Sequence, residues 1–433
     1  RMLKHMNSAV EFIKTDDGSP AMEIAVTAEI KDVRVMARKI AEQRAAEGDT
    51  SAFNLVSLDL LIRQYELWRS ELPNVDMHYA IKCNNDPVVL RTLARLGAGF
   101  DCANSAEIDE AISAGVSPDR IIFAHPFKSL EAIAHSTKVG VRLATFDCLE
   151  ELEKIESVGI QMDLLLRINV TDETAFLRLG EKFGAEPENA APAIIYAATA
   201  KKSSGIRVRG ICFHIGFGAR NALVFREAIE EARRLFDVAA AAGFPMDTVD
   251  IGGGYPGDDN ERFREMASVI RSALADFFPP SSGVSILGEP GQFVSKQAVA
   301  VVANVFGAVE CSAYDVTGKE DDRSSRGFKY FINDGVFCSF SGLLRGKKPV
   351  CGELLRELHN DAELFDCMIW GPTCTATDLV EKANKKPRLR FGDWLFFSDM
   401  GSYSTVMSTP FNGFSQGRPA YVVSRHNWSC IWH

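Results

Sequence analysis

From Phe53 onward the chain repeats one pattern, a short β-rich run followed by an amphipathic helical stretch. The runs that read as strands cover 77–82, 99–103, 120–125, 142–146, 163–169, 209–214, 248–252 and 285–289. Amphipathic segments such as 88–96, 105–114 and 222–242 lie between them. This alternation implies parallel strands, because each helix carries the chain back to the same end of the sheet. Eight such units predict an α/β fold built on a TIM-type (β/α)8 barrel.

The rhythm stops near Gln297. Beyond it, 298–308, 328–333, 394–397 and 418–424 are β-like and are joined by loops rich in Gly, Pro, Asp and Lys. They predict a mainly antiparallel β domain. Within it, 310–326 reads as a charged surface loop. Ahead of the barrel, 6–22 is polar and reads as loosely ordered, while 23–45 reads as a strand and then a helix. The expected organisation is an N-terminal segment (1–56) contributing to the β domain, a barrel (57–297) and a C-terminal β domain (298–433).

Composition narrows the function by exclusion. With 433 residues, 46% of them hydrophobic and 24% charged, the chain can bury a large core, which excludes global disorder. Its 58 acidic against 48 basic residues argue against nucleic acid as a partner. No window approaches the ~18 apolar residues of a membrane span. The first residues lack the continuous apolar stretch of a secretory leader, and a cytoplasmic location is expected from the cysteines, which read as reduced core thiols. The ten cysteines form no Cys-x-x-Cys pair and sit in apolar runs, as reduced core thiols do. No metal site is expected. A small molecule at the barrel mouth is the ligand class that remains.

Active sites of such barrels lie at the C-terminal ends of the strands. The first predicted strand ends in Ile81-Lys82-Cys83-Asn84, where a lysine is either a rim charge or a functional amine held away from water. The sixth ends in Phe213-His214-Ile215-Gly216, where an imidazole can stack on an aromatic ligand or stand as a buried, hydrogen-bonded ring. The seventh runs into Asp250-Ile-Gly-Gly-Gly-Tyr-Pro-Gly257. Three consecutive glycines let backbone N–H groups close on an anion, with a plain tight turn as the alternative. The eighth ends in Leu287-Gly-Glu289-Pro-Gly291 and brings a carboxylate. An amine, a phosphate cradle, a stacking ring and an acid are together the equipment for pyridoxal 5′-phosphate.

On these residues the sequence resembles the eukaryotic ornithine decarboxylase family, within the alanine-racemase-like (fold type III) pyridoxal phosphate enzymes. The resemblance spans about 54–424. It rests on Tyr79-Ala-Ile-Lys-Cys-Asn84, Gly99-Phe-Asp-Cys-Ala103, Leu166-Arg-Ile168, Arg178-Leu-Gly-Glu-Lys-Phe-Gly-Ala185, Phe213-His-Ile-Gly216, the triple-glycine stretch, Glu289-Pro-Gly291, Trp370-Gly-Pro-Thr-Cys374, Asp393-Trp394 and Phe411-Asn-Gly-Phe414. It implies an amino acid decarboxylase that works as a homodimer with active sites shared between subunits. Lys82 would hold the cofactor covalently, with Asp101 and Arg167 on the ring side. His214 would stack on the ring and Glu289 would pair with its nitrogen. Gly252, Gly253, Gly254, Gly291, Gln292 and Tyr403 would form the phosphate side, and Cys374 of the partner subunit would reprotonate the α-carbon.

Four positions depart from the family pattern. Phe217 stands where the family usually has a phosphate-binding serine, and Gln292 where it has an arginine. Losing a bidentate guanidinium removes a charge-assisted contact and leaves Gln292 one hydrogen bond to give, so either cofactor binding is weaker or a new cation, Arg220 or Arg345, compensates. On the substrate side the candidates are Phe337, Arg345, Gly346, Thr375 and Asp378. The resemblance places aspartates for ornithine's distal ammonium at Thr375 and Gly346. Without them a buried ammonium is left unpaired, at a cost of a few kcal/mol. Arg345 suits a side chain ending in a carboxylate or a bulky zwitterion, or points to solvent. Asp378 is a candidate to take over the lost role. The readings left open are a non-catalytic antizyme-inhibitor-like homologue and an ordinary ornithine or lysine decarboxylase. A racemase is disfavoured, because it needs a base on each face of the ring and the Cys374 motif is that of decarboxylases. The chain stops at His433, short of the degradation tail of vertebrate relatives, and a microbial, fungal or specialised-metabolism enzyme is expected.

Overall fold

The computed structural model describes residues 8–13, 22–170, 172–199, 205–347, 349–358 and 361–432. The chain divides into two units, Ile62–Val294 and Arg1–Leu61 with Ser295–His433.

The first unit is a closed barrel of eight parallel strands. In order around the wall they are Asp76–Ala80, Gly99–Cys102, Ile121–Phe123, Leu143–Phe146, Met162–Arg167, Ile206–Cys212, Thr248–Asp250 and Ser285–Gly288. All eight predicted strands are present, but most end one or two residues earlier than the pattern suggested. The site residues therefore sit just past the ladder, in turns whose side chains are aimed by local geometry. Lys82 lies in the 3-10 turn Ile81–Cys83. The next helix, Pro87–Leu96, starts at once because Asp86 caps it, accepting from the N–H groups of Val88 (2.9 Å) and Val89 (3.1 Å). Pro87 supplies a helix-ready first residue, and Gly97 ends the helix at φ +101°.

The barrel is anchored on one side by a nest of buried rings. Trp68 stacks on Phe263 with centroids 5.9 Å apart and meets Tyr255 edge-on at 4.9 Å. Phe225 stacks on Tyr255 at 5.3 Å. Tyr255 directly follows Gly254, so this packing pins the end of the triple-glycine loop.

In the second unit ten strands form one sheet among the described residues. The main path runs Ser8–Ile13, Met22–Thr27, Ala420–Ser424, Phe53–Ser57, Val299–Ser312, Arg326–Ile332, Leu364–Trp370 and Leu379–Pro387. Trp394–Phe397 pairs with Val299–Ser312 and with Glu353–Leu354. The sheet is mixed rather than simply antiparallel. Ala420–Ser424 runs parallel to both of its neighbours, and Arg326–Ile332 runs parallel to Leu364–Trp370. Side chains alternate along Val299–Ser312. Val301, Ala303 and Val305 enter one core with Phe328, Tyr330 and Ile369, while Ala300 and Val302 enter another with Phe53, Leu55 and Trp394. The helix Val33–Ala46 covers the second core with Met36, Ala37 and Ala41.

Two expectations need correction. Residues 8–13, read as loosely ordered, form a strand antiparallel to Met22–Thr27, while 14–21 lie outside the described residues. The stretch 310–326 is not a simple loop. Its strand continues to Ser312, short helical turns follow at Tyr314–Thr317 and Glu320–Asp322, and Arg326 opens the next strand with a bidentate pair to Glu310 at 2.9 and 2.8 Å. All ten cysteines are free thiols. No described helix is long and apolar enough to cross a membrane.

Candidate active site

The Lys82 turn is fixed from three directions. The Tyr79 hydroxyl donates to the carbonyl of Asn84 at 3.0 Å. The Asn84 side chain accepts from Asp86 N–H at 2.9 Å. The Ala80 N–H donates to the carbonyl of Pro290 at 3.2 Å, which ties the end of the first strand to the Glu289-Pro-Gly turn. A Cβ on Gly291 would lie 2.9 Å from Cβ of Cys83, so only glycine permits this approach. The Lys82 ammonium pairs with Asp101, whose side chain is buried while that of Lys82 is 39% exposed. The amine is thus held and still reachable.

His214 lies just past the strand Ile206–Cys212. Its Nδ1 accepts from Gly216 N–H at 3.0 Å, which leaves the ring proton on Nε2. Burial first, then the cations of Arg167 and Lys82, push its imidazole down to about 3, so it stays neutral. The unfolded chain takes up this proton below the ordinary value near 6.5, and the folded chain does not until about 3. Stability dependent on neutral His214 is therefore complete above about pH 6.5 and is lost as pH falls. The wild-type apoprotein is expected to lose more thermal midpoint between about pH 7 and about pH 5 than His214→Gln. Equal losses would refute the assignment.

Behind the imidazole is the triple glycine. Gly252 has φ +63° and Gly254 φ +114°. A Cβ on Gly252 would come 2.0 Å from the carbonyl of Phe213, and one on Gly253 2.7 Å from Nε2 of His214. The loop is a close-fitting cradle that side chains would fill. Glu289 faces it from the neighbouring strand end. Burial first, then the negative charge of Asp101 and Asp250, pushes the Glu289 carboxyl well above its usual range. Asp101 Oδ1 and Asp250 Oδ2 are buried without a hydrogen-bond donor. A protonated ring nitrogen beside Glu289 and a phosphate at the glycines suit this donor-poor acidic floor and its cradle. Pyridoxal phosphate therefore fits the residues present.

The phosphate side is less endowed with side chains. Gln292 Nε2 donates to the carbonyl of Tyr255 at 3.0 Å. The Phe217 ring meets Phe176 at 6.4 Å, and its backbone pairs with Leu177. The exposed Arg220 uses its backbone N–H on Asp172 at 2.6 Å. Arg167 lies 5.1 Å from the ring centroid of Phe183. Sequence reasoning assigned no role to Asp250, Tyr255 or Phe183, although all three lie inside motifs that it singled out.

The remaining candidates lie in the second unit. Asp378 is 1% exposed and is a loop clamp. Its Oδ1 accepts from Val336 N–H at 2.8 Å, and its Oδ2 accepts from the N–H (2.9 Å) and hydroxyl (2.5 Å) of Thr373. It is not available to replace a missing substrate-binding acid, which corrects that expectation. Asp334 is occupied in the same way, by Gly335 N–H and by the N–H and hydroxyl of Ser339. The exposed Cys374 is oriented by its N–H, which donates to Asn412 Oδ1 at 3.2 Å. Thr375 is half-buried and bonds Thr377 through the hydroxyls at 3.0 Å. Phe337 packs on Phe411 with centroids 4.6 Å apart. Gly346 ends a 3-10 turn at φ +78°. Beside it, Arg345 Nη2 donates to the carbonyl of Tyr403 at 2.7 Å, and Lys347 Nζ donates to the carbonyl of Ser402 at 3.0 Å. Lys347 was missed by sequence reasoning. Two cations thus flank the glycine where the resemblance places an acid.

Comparison with known proteins agrees with this chemistry. Residues 58–296 match the family model of the pyridoxal-dependent decarboxylase pyridoxal-binding domain, and 225–401 match that of the C-terminal sheet domain. The chain is 40% identical to an ornithine decarboxylase of Caenorhabditis elegans, over 94% of this chain and 96% of the relative. It is 36% identical to antizyme inhibitor 2 of Xenopus laevis, over 92% and 86%. Among solved structures, the arginine decarboxylase of Paramecium bursaria Chlorella virus aligns with a TM-score of 0.80 at 33% identity, over 90% of this chain and 99% of that one.

Proposed function

Because the chain belongs to the ornithine decarboxylase-like family of pyridoxal phosphate-dependent amino acid decarboxylases, we propose that its substrate is an L-amino acid lacking a free terminal ammonium, with a carboxylate-ended side chain the best fit. The observation that carries this reading is the absence of a usable acid in the two substrate-side loops. Segments 334–347 and 371–378 contain only Asp334 and Asp378, and both spend their oxygens on neighbouring donors. A terminal ammonium would find no carboxylate there, whereas Arg345 and Lys347, though they hold the carbonyls of Tyr403 and Ser402, bring two positive charges that suit an anionic tail.

Lys82 would hold the cofactor aldehyde, Gly252 to Gly254 its phosphate and Glu289 its ring nitrogen. Bound there, pyridoxal phosphate supplies an electron sink for the pair left when CO2 departs. His214, neutral and packed on Gly253, would cover one face and keep water from it. Cys374 would return a proton to the α-carbon. The deciding experiment is CO2 release from a panel of amino acids. Turnover of ornithine equal to that of the best acidic or N-substituted substrate would overturn the substrate reading.

The same reading has two subunits sharing each site, with Lys82 from one and Cys374 from the other. Mixing Lys82→Ala with Cys374→Ala subunits should restore about a quarter of wild-type activity. Half of randomly formed dimers are hybrids, and each hybrid holds one intact site. No recovery, with subunit exchange confirmed, would refute the shared site.

A further inference from the structure

Asp250 closes the strand Thr248–Asp250 and is 1% exposed. Two hydrogen bonds link it through the cradle to the acid. Gly252 N–H donates to Asp250 Oδ1 at 2.8 Å. Glu289 N–H donates to the carbonyl of Gly252 at 2.7 Å. The negative charge of Asp250 also helps to push the Glu289 carboxyl up. Asp250 Oδ2 is buried with no hydrogen-bond partner.

The groups facing this pair come from the surrounding strand ends. Asp101 adds negative charge, and Arg167 and Lys82 add positive charge. The Cys212 thiol and the Tyr255 phenol also face it, and burial pushes both up, so they stay neutral.

We propose that Asp250 is a positioning residue acting through Glu289: it fixes that carboxyl against the phosphate cradle and places a second negative charge beside it, so that a cofactor ring nitrogen bound there stays protonated. This rests on the cofactor reading given above.

The test uses protein reconstituted with pyridoxal phosphate carrying nitrogen-15 in the ring, and follows the ring nitrogen by NMR as pH rises. Asp250→Asn keeps an oxygen for Gly252 N–H and nearly the same shape, but removes the charge. It should release the ring proton about tenfold more readily, a midpoint about one unit lower. In the Glu289→Gln background the same change should move the midpoint little. Asp250→Ser, smaller and equally uncharged, should reproduce the shift and serves if the Asn variant does not fold. A midpoint unchanged in the folded variants, or shifted equally in both backgrounds, overturns the proposal and leaves the enzyme reading standing. Wild-type protein that takes up no cofactor overturns both.

Discussion

Lys82→Ala is expected to lower turnover by about 10³-fold or more and to abolish the visible absorbance of lysine-bound cofactor. The turn that aims this amine is set by the Tyr79 and Asp86 contacts and by the link from Ala80 to Pro290. The substitution also leaves Asp101 buried without its cation. Breaking a fully buried pair costs about 3–5 kcal/mol. Lys82 is 39% exposed, so screening reduces that to about 1–2 kcal/mol. Lys82→Arg separates the two roles. It retains a cation for Asp101 and should recover most of the stability, but a guanidinium cannot replace the amine, so turnover should stay lost. An Arg variant that retains wild-type turnover, or an Ala variant that retains the absorbance band, would contradict the assignment.

The other large effect concerns the substrate. Thr375→Asp combined with Gly346→Asp should raise turnover of ornithine by about 10²-fold relative to the native substrate, because a desolvated ammonium gains carboxylate partners. The two positions differ in cost. Thr375 lies in ordinary backbone and bonds only Thr377 through its hydroxyl. Gly346 has φ +78°, which an aspartate tolerates at a cost of roughly 1–2 kcal/mol. The single Thr375→Asp variant should therefore fold as the wild type does and give part of the switch. Arg345→Ala should depress the native substrate more than ornithine if the native tail is anionic. Equal losses on both would mean that Arg345 serves chiefly to hold the Tyr403 loop, to which it donates at 2.7 Å.

Much of the barrel was legible because its signal is local. Each strand is an apolar run followed by a helix with a 3.6-residue stripe, and parallel order follows from that alternation. The ends of the strands were less legible. Lys82, His214 and Glu289 read as strand termini and lie beyond them, because a ladder stops where turn geometry begins and an apolar pattern carries no hydrogen-bond register. The sheet unit was harder still. Leu379–Pro387, with the sequence Leu-Val-Glu-Lys-Ala-Asn-Lys-Lys-Pro, has too little apolar alternation to read as a strand, and it lies at the end of the main sheet path, where charge is tolerated.

Residue types alone determined the chemistry. A lysine, a histidine, an acid and three glycines at successive strand ends could be read in order, because barrel topology sends every strand end to one face. Only the tertiary structure decided which acids are free to act. Asp378 and Thr375 look interchangeable by spacing, yet Asp378 is consumed by donors from Val336 and Thr373. Asp250 looked like the start of a glycine motif, yet from the neighbouring strand it is linked through Gly252 to Glu289 and raises that carboxyl. The reason is physical. A carboxylate's role depends on which donors and charges surround it, and residues far apart in the chain supply them, so no local pattern records it.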